Sequence, residues 1–522
     1  MQKPDRMIER RIVIGMIVST DYLSRVNRIW SPAFFTSDAA RIISTWCMEY
    51  FNKYAKAPNT DIEAIFYDKL ASKKIPQDLA EEFEEEILPG LSEEYDRGGK
   101  FNSGYLYDQT VKYFKAQQLR LHSQQIQQLT EQGRYDEAEK LAQEFKPTVL
   151  DVVSIGLDLA SEEAQERVER AFNAELQRLV NYPGALGDMW NDHLVRGGFV
   201  GLMGPEKRGK TMWLIELAMR AVRQKCNVAF FEAGDMSEPQ ILRRICIYIA
   251  KKSDRSRYCS EFYQPVGDCV KNQLDKCRRP DRNCNFGALA RVFPNTSVKD
   301  LRGQLKYDEL VEIVKENPDY EPCDSKMCDE RVGSIWLVRV PKKRPLTGQE
   351  AKKYLKKFFT RYKRHFKLMV YPADTLTVAE MKRCLDAWER QEGFVPDVIC
   401  VDYADLLTAP VREFRHRQDY IWKNLRALSL ERHCLVITAT QADAASYETN
   451  RLRLSNFSED KRKYAHVTAM YGLNQDPDGR EKELGIMRIN ELVVREGEFS
   501  PVNEVTVLQC LRMGRAFLES YK

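Results

Sequence analysis

The sequence predicts an α/β fold with a mostly parallel sheet, preceded by a small all-α N-terminal domain and a helical linker. Three observations carry this. The glycine-bearing stretch Gly204-Pro205-Glu206-Lys207-Arg208-Gly209-Lys210-Thr211 lies between an apolar run at 199–203 and the helix-like Met212-Trp213-Leu214-Ile215-Glu216-Leu217-Ala218. Further apolar runs at 228–231, 398–401 and 434–439 each end in polar residues and alternate with helical patterns. Such alternation argues for parallel strands with a ligand at their C-terminal edge. The first hundred residues instead repeat apolar positions at helical spacing, as in Ile8, Ile12, Val13 and Met16.

Composition fits a globular chain with ample core. A length of 522 residues suggests roughly two to four domains. The net charge of +4 is too small to point to a partner by itself. No apolar run reaches membrane-span length. The run at 12–18 is short, contains Gly15 and lacks a cleavage site, so it reads as a core helix and not a signal peptide. The expected location is the cytoplasm, that of a host cell if the chain is phage-encoded, with thiols reduced.

Taken in order, residues 1–104 form the helical domain. Residues 105–181 form a helical linker with sparse apolar anchors, Val168, Phe172 and Leu176 among them. Residues 182–522 form the α/β domain, interrupted at about 255–366 by a cysteine-rich insertion.

The chemistry is concentrated at strand ends. A strand, a glycine loop, Lys-Thr and a helix make a phosphate-binding loop. Backbone N–H groups of residues 204–212, ending at Met212, and the helix N-terminus would cradle a nucleotide's phosphates. Lys210 would reach the terminal phosphates and Thr211 would ligate Mg²⁺. The run at 398–401 ends in Asp402, suited to holding the water shell of Mg²⁺. Glu232, or Asp235 just after it, would polarise the attacking water. Gln441 ends the third run and would sense the γ-phosphate; a plain strand-end cap is the simpler alternative.

Together these pieces resemble the DnaB-type replicative DNA helicases, particularly their phage and mobile-element forms. The matching order is the phosphate loop, Asp235-Met236-Ser237-Glu238, Asp402-Tyr403 and Gln441. The likeness spans nearly the whole chain except the insertion. It implies a RecA-like ATPase core, ATP and Mg²⁺ as cofactors, and a homohexameric ring with ATP between subunits. It further implies 5′-to-3′ movement on single-stranded or forked DNA, with a primase and a loader as possible partners. In this family a neighbour's arginine completes each site. Arg495 matches that arginine, while Val493 stands where the family has a second basic residue. Pore loops would hold DNA through Lys461, Arg462 and Lys463, with no sequence readout. A RecA-like filament ATPase that binds single strands without unwinding is the alternative from another class, and an interaction ATPase of loader type is a third.

In the insertion, Cys269, Cys277, Cys284, Cys323 and Cys328 lie near turn-forming residues. Four of the five are expected to bind a structural Zn²⁺ that staples a region with little core. After them, Leu355, Phe358, Phe359, Tyr362 and Phe366 share one face of a basic helix, which either touches nucleic acid or is simply solvated.

Overall fold

Serine caps set the N-terminal helices. Ser19 accepts the N–H of Tyr22 at the start of Thr20–Val26, and Ser37 accepts the N–H of Ala40 at the start of Asp38–Tyr54. The computed structural model describes residues 3–71, 83–84, 102–143, 159, 165, 168–169, 171–172, 176–279, 287–297, 301–325, 328–329, 331–411, 413–456, 461–497, 499–500 and 502–522. They fall into two compact units, one within Met1–Leu176 and Leu385–Val395, the other within Gln177–Cys384 and Pro396–Lys522.

The first unit packs Lys3–Val18, Thr20–Val26, Asp38–Tyr54, Asp61–Ala71 and Ser103–Glu131 around Ile12, Met16, Ile43 and Phe66. Leu106, Tyr113 and Phe114 join that core. The start of the expected linker is therefore part of the helical unit's interior. Glu9 is buried there and accepts the N–H of Ser37 at 2.9 Å and the hydroxyl of Tyr113. Most of 144–175 lies outside the described residues; Val168 and Phe172 within it are exposed.

The second unit contains eleven strands: β1 Phe199–Gly204, β2 Val228–Glu232, β3 Phe262–Cys269, β4 Gly333–Val340, β5 Phe366–Val370, β6 Val398–Asp402, β7 Leu435–Gln441, β8 Ala469–Asn474, β9 Ile486–Val494, β10 Glu504–Cys510 and β11 Arg515–Tyr521. Nine of them form one sheet in the order β11-β10-β9-β8-β1-β7-β6-β2-β5. From β5 across to β8 the pairings are parallel; β9, β10 and β11 add antiparallel strands at the other edge. β1, β2 and β6 are buried along their whole length, which is why they read as unbroken apolar runs. The expected fold class, a RecA-like α/β core behind an all-α N-terminal region, holds. No described helix is long and apolar enough to cross a membrane.

The insertion is better ordered than its sequence suggests. β3 and β4 form an antiparallel ribbon. Val270, Leu289, Leu305, Leu310 and Trp336 build a local core that is completed by Leu484, Ile486, Leu508 and Tyr521 from the sheet. Residues from 348 onward belong to the main fold. The helix Gly348–Tyr362, with a Thr347–Glu350 capping box, buries Phe358 in the core. It stops at Lys363 (φ 50°), so Phe366 opens β5 and does not extend the helical face.

The zinc expectation meets no support. Among the described residues, no group of three or more His, Cys, Asp or Glu side chains could hold a metal ion. This covers Cys269, Cys277, Cys323 and Cys328; Cys284 lies outside the described residues. The premise of a coreless region is what fails. Buried Asp268 also ties the segment together, accepting the N–H groups of Cys269 (2.7 Å) and Cys323 (2.8 Å) and the Tyr320 hydroxyl (2.9 Å). Cys323 is thus fastened through its backbone.

Candidate nucleotide site

The loop between β1 and the helix Lys210–Arg223 emerges from the middle of the sheet, since β1 lies between β7 and β8. It passes through left-handed backbone at Lys207 (φ 58°) and Gly209 (φ 90°). A Cβ at Gly209 would meet nothing within 4 Å, so the dihedral and not crowding favours glycine there. Glu206 and Lys207 are exposed, while Arg208 is half-buried and donates to the carbonyl of Gln475 at 3.3 Å. Lys210 folds back over the loop, its Nζ donating to the carbonyls of Gly204 (2.9 Å) and Pro205 (3.0 Å). Burial lowers its pKa, against the pull of Asp405 and Asp402.

Two carboxylates face each other across neighbouring strands. Glu232 and Asp402 are register partners at the ends of β2 and β6, and both are fully buried. One Glu232 oxygen accepts the N–H groups of Asp235 (2.9 Å) and Met236 (3.0 Å). The other has no hydrogen-bond partner, and neither oxygen of Asp402 has one. Burial raises both pKa values; Asp402's charge pushes Glu232 further up, while the adjacent Thr211 hydroxyl eases Asp402 back. Orphaned carboxylate oxygens beside Thr211 are the donor set a hydrated divalent cation requires, so the residues fit Mg²⁺. Asp235 is exposed, its backbone N–H engaged in holding Glu232.

Gln441 ends β7 opposite Gly204, and its side chain donates to Glu206 at 3.1 Å. It therefore sits level with the phosphate loop. Beside it lies a polar knot centred on Asp405. Asp405 accepts the Thr440 hydroxyl (2.8 Å), the Gln441 N–H (2.9 Å) and the ammonium of Lys463 (2.7 Å). Lys463 is 1% exposed, so it is not the surface cation the sequence suggested. Its charge is committed to Asp405 and its position to Thr440, at 3.2 Å. Sequence reasoning missed Asp405 and Thr440; the available signal was their place beside Asp402 and Gln441 at strand ends. The short helical turn Lys461–Ala465 holds the backbone of Lys461 and Arg462.

Arg495 lies far from these groups. Val494 ends β9 opposite Ala469, the first residue of β8, and Val200 pairs with that same Ala469. Arg495 thus follows the N-terminal end of β1, whereas the phosphate loop follows its C-terminal end. β1 is six residues long, so about 17 Å of strand separates the two. The Arg495 N–H donates to the carbonyl of Thr468 at 3.0 Å, and its exposed side chain donates to the carbonyl of Ala465.

No protein-family model matches the sequence, and no curated protein matches it. In structure the chain is similar to a solved helicase ATPase domain, at 13% identity and TM-score 0.42, covering 69% of this chain and 100% of that one. It is also similar to a DnaB-like replicative helicase described with its interactions with primase, at 14% identity and TM-score 0.42, covering 98% of this chain and 100% of that one. Identity is low in both, and the roles of individual residues rest on the geometry above.

Proposed function

We propose that this chain is an ATP-hydrolysing DNA helicase that moves along single-stranded DNA as a homohexameric ring, in the 5′-to-3′ direction. The observation that carries the reading is the in-register pair Glu232 and Asp402 facing Lys210 and Thr211 beneath a phosphate loop. The phosphates of ATP would take the Lys210 ammonium from the two loop carbonyls and accept N–H groups of the loop. Thr211 and Asp402 would hold Mg²⁺, which when bound neutralises charge on the phosphates. Glu232 suits the general base better than Asp235. Its raised pKa favours taking a proton from water near neutral pH, one oxygen is fixed by two backbone donors, and the other is open. Gln441, held to Glu206 and Asp405, would register whether the γ-phosphate is present.

Arg495 supports the ring. It is too distant to reach its own nucleotide, so a part in hydrolysis requires a neighbouring subunit's site. DNA contacts fall to Lys461 and Arg462, on the turn that Lys463 ties to the sheet. A primase is a reasonable partner by the same analogy, and a loader would place the ring on DNA.

Unwinding of a forked duplex, with particle images in the presence of a nucleotide analogue, tests the reading. Closed rings and ATP-dependent strand separation are expected. An open filament that coats single strands without unwinding would replace this reading with a strand-exchange ATPase. Basal hydrolysis that ignores single-stranded DNA would point to an interaction ATPase.

A further inference from the structure

Three basic segments converge at one end of the β3–β4 ribbon. Phe262 opens β3 opposite Val340, the last residue of β4, so the chain enters and leaves the ribbon at the same end. Lys251, Lys252, Arg255 and Arg257 lie just before it; Lys342, Lys343 and Arg344 lie just after it. Main-chain bonds fasten the two runs, from Lys343 N–H to the Cys259 carbonyl (3.0 Å) and from Leu346 N–H to the Ser253 carbonyl (2.8 Å). The turn between β10 and β11 supplies the third segment. Arg512 lies 5.2 Å over the Phe262 ring, and Arg515 lies 4.9 Å over Tyr248. Arg223 lies 4.9 Å from the same tyrosine ring. Gly514 (φ 67°) seats this turn against the helix Glu238–Ala250, where an added Cβ would come within 2.9 Å of the Tyr248 nitrogen.

Little neutralises these charges. Lys252 pairs with Glu350 at 3.0 Å, and Asp254 is the single carboxylate among residues 251–258. Two guanidinium nitrogens of Arg515, Nε and Nη1, are buried without a hydrogen-bond partner. Burial, and then repulsion from Arg515, Arg223 and Lys343, lowers the pKa of Lys251. Cations at helix C-termini offset the helix dipole, which accounts for Arg223 and Lys251. It does not account for the exposed Arg255, Arg257, Lys342, Lys343 and Arg344, which lie on loops.

We infer that this platform is a binding surface for the phosphodiester backbone of nucleic acid, separate from the nucleotide site. The separation follows from the helix Lys210–Arg223, which begins at the phosphate loop and ends beside the platform; its 14 residues span about 21 Å. Several cations on three mutually fastened segments match a linear polyanion, whose counterions they would release. The choice of nucleic acid over an acidic protein or lipid rests on the proposed helicase reading.

The test is the triple variant Lys342→Ala, Lys343→Ala and Arg344→Ala, whose side chains are exposed. Full-length protein with a non-hydrolysable nucleotide is titrated with labelled single-stranded and duplex oligonucleotides across a salt series. Each lost phosphate contact lowers the slope of log K against log salt by about 0.7 for a single strand or about 0.9 for a duplex. The expected result is a slope lower by about 2 and at least about tenfold weaker binding, with DNA-independent ATP hydrolysis unchanged. Photo-crosslinks from a bromodeoxyuridine oligonucleotide should map to 251–258 or 341–346. Unchanged affinity and slope overturn the proposal, as does tighter wild-type binding to poly-glutamate or anionic vesicles than to oligonucleotide. If the wild type unwinds forks and the variant binds as well as it, the platform alone is wrong. If the wild type neither hydrolyses ATP nor unwinds, yet the variant loses oligonucleotide binding, the helicase reading alone is wrong.

Discussion

Replacing Lys463 by Met separates a buried structural tie from a surface DNA contact. The Lys463 ammonium lies 2.7 Å from Asp405 and is almost fully enclosed. At that distance the attraction is about 6 kcal/mol for an effective dielectric of about 20, before the desolvation of both charges is subtracted. Removing one partner of such a pair leaves the other buried and uncompensated, typically at about 3–5 kcal/mol. Asp405 keeps the Thr440 hydroxyl and the Gln441 N–H, so the lower figure, about 3 kcal/mol, is expected. For a unit of this size that corresponds to a fall in Tm of about 5 °C. Asp405→Asn should also destabilise, and the double variant should lose clearly less than the two singles summed. Urea titration and differential scanning fluorimetry of the four proteins read the cycle. A Lys463→Met protein with wild-type stability and selectively weakened DNA binding would refute this account and restore the surface role.

Other outcomes follow from the same geometry. Lys210→Ala should reduce ATP hydrolysis by at least about a thousandfold without changing the oligomer, measured by phosphate release and light scattering. Glu232→Gln should retain nucleotide binding and lose turnover, because the amide oxygen can still accept the Asp235 and Met236 N–H groups but cannot take a proton. The same variant has a pH signature. Folding raises the pKa of Glu232, so the folded protein binds more protons than the unfolded chain, and stability falls as pH rises through that window. Nucleotide-free Glu232→Gln should therefore gain several degrees in Tm over wild type near about pH 8 and much less near about pH 5, with no gain at the higher pH counting against a strained carboxylate. Mixing Arg495→Ala subunits with Lys210→Ala subunits should recover some hydrolysis, since certain interfaces then carry both intact groups; a mixture as dead as its components would remove Arg495 from the site.

The parts of the site that were legible in the sequence are the ones encoded locally. The phosphate loop announces itself through Gly204, Gly209 and Lys210-Thr211 between a strand and a helix, and Asp402 and Gln441 through polar residues closing apolar runs. The pairing of Glu232 with Asp402 was not legible, because register between strands 170 residues apart is set by packing and not by spacing. Spacing from Met236 favoured Asp235, which the fold leaves exposed. Lys463 looked like its neighbours Lys461 and Arg462 until the fold brought Asp405 to it. In the insertion, Val270, Leu289, Leu305 and Trp336 follow no helical or alternating period, so the core they form was invisible and the cysteines stood out by default. Phe366 continued a helical pattern by chance; Lys363 in left-handed backbone ended the helix first.

The shared core between the insertion and the sheet bears on how the chain folds. Val270, Leu310 and Trp336 are synthesised well before Leu484, Ile486, Leu508 and Tyr521, yet they close one hydrophobic cluster. Gly267 and Gly333 also sit where a Cβ would strike the side chains of Glu519 and Tyr521. The insertion is thus contiguous in sequence but completed only when the last strands arrive. During synthesis its apolar side chains wait for the C-terminus, an interval in which a chaperone or a nascent-chain contact would matter. Excising it to obtain a minimal core would not trim a loop; it would bare Ile486, Leu508 and Tyr521 on the antiparallel strands and invite aggregation there.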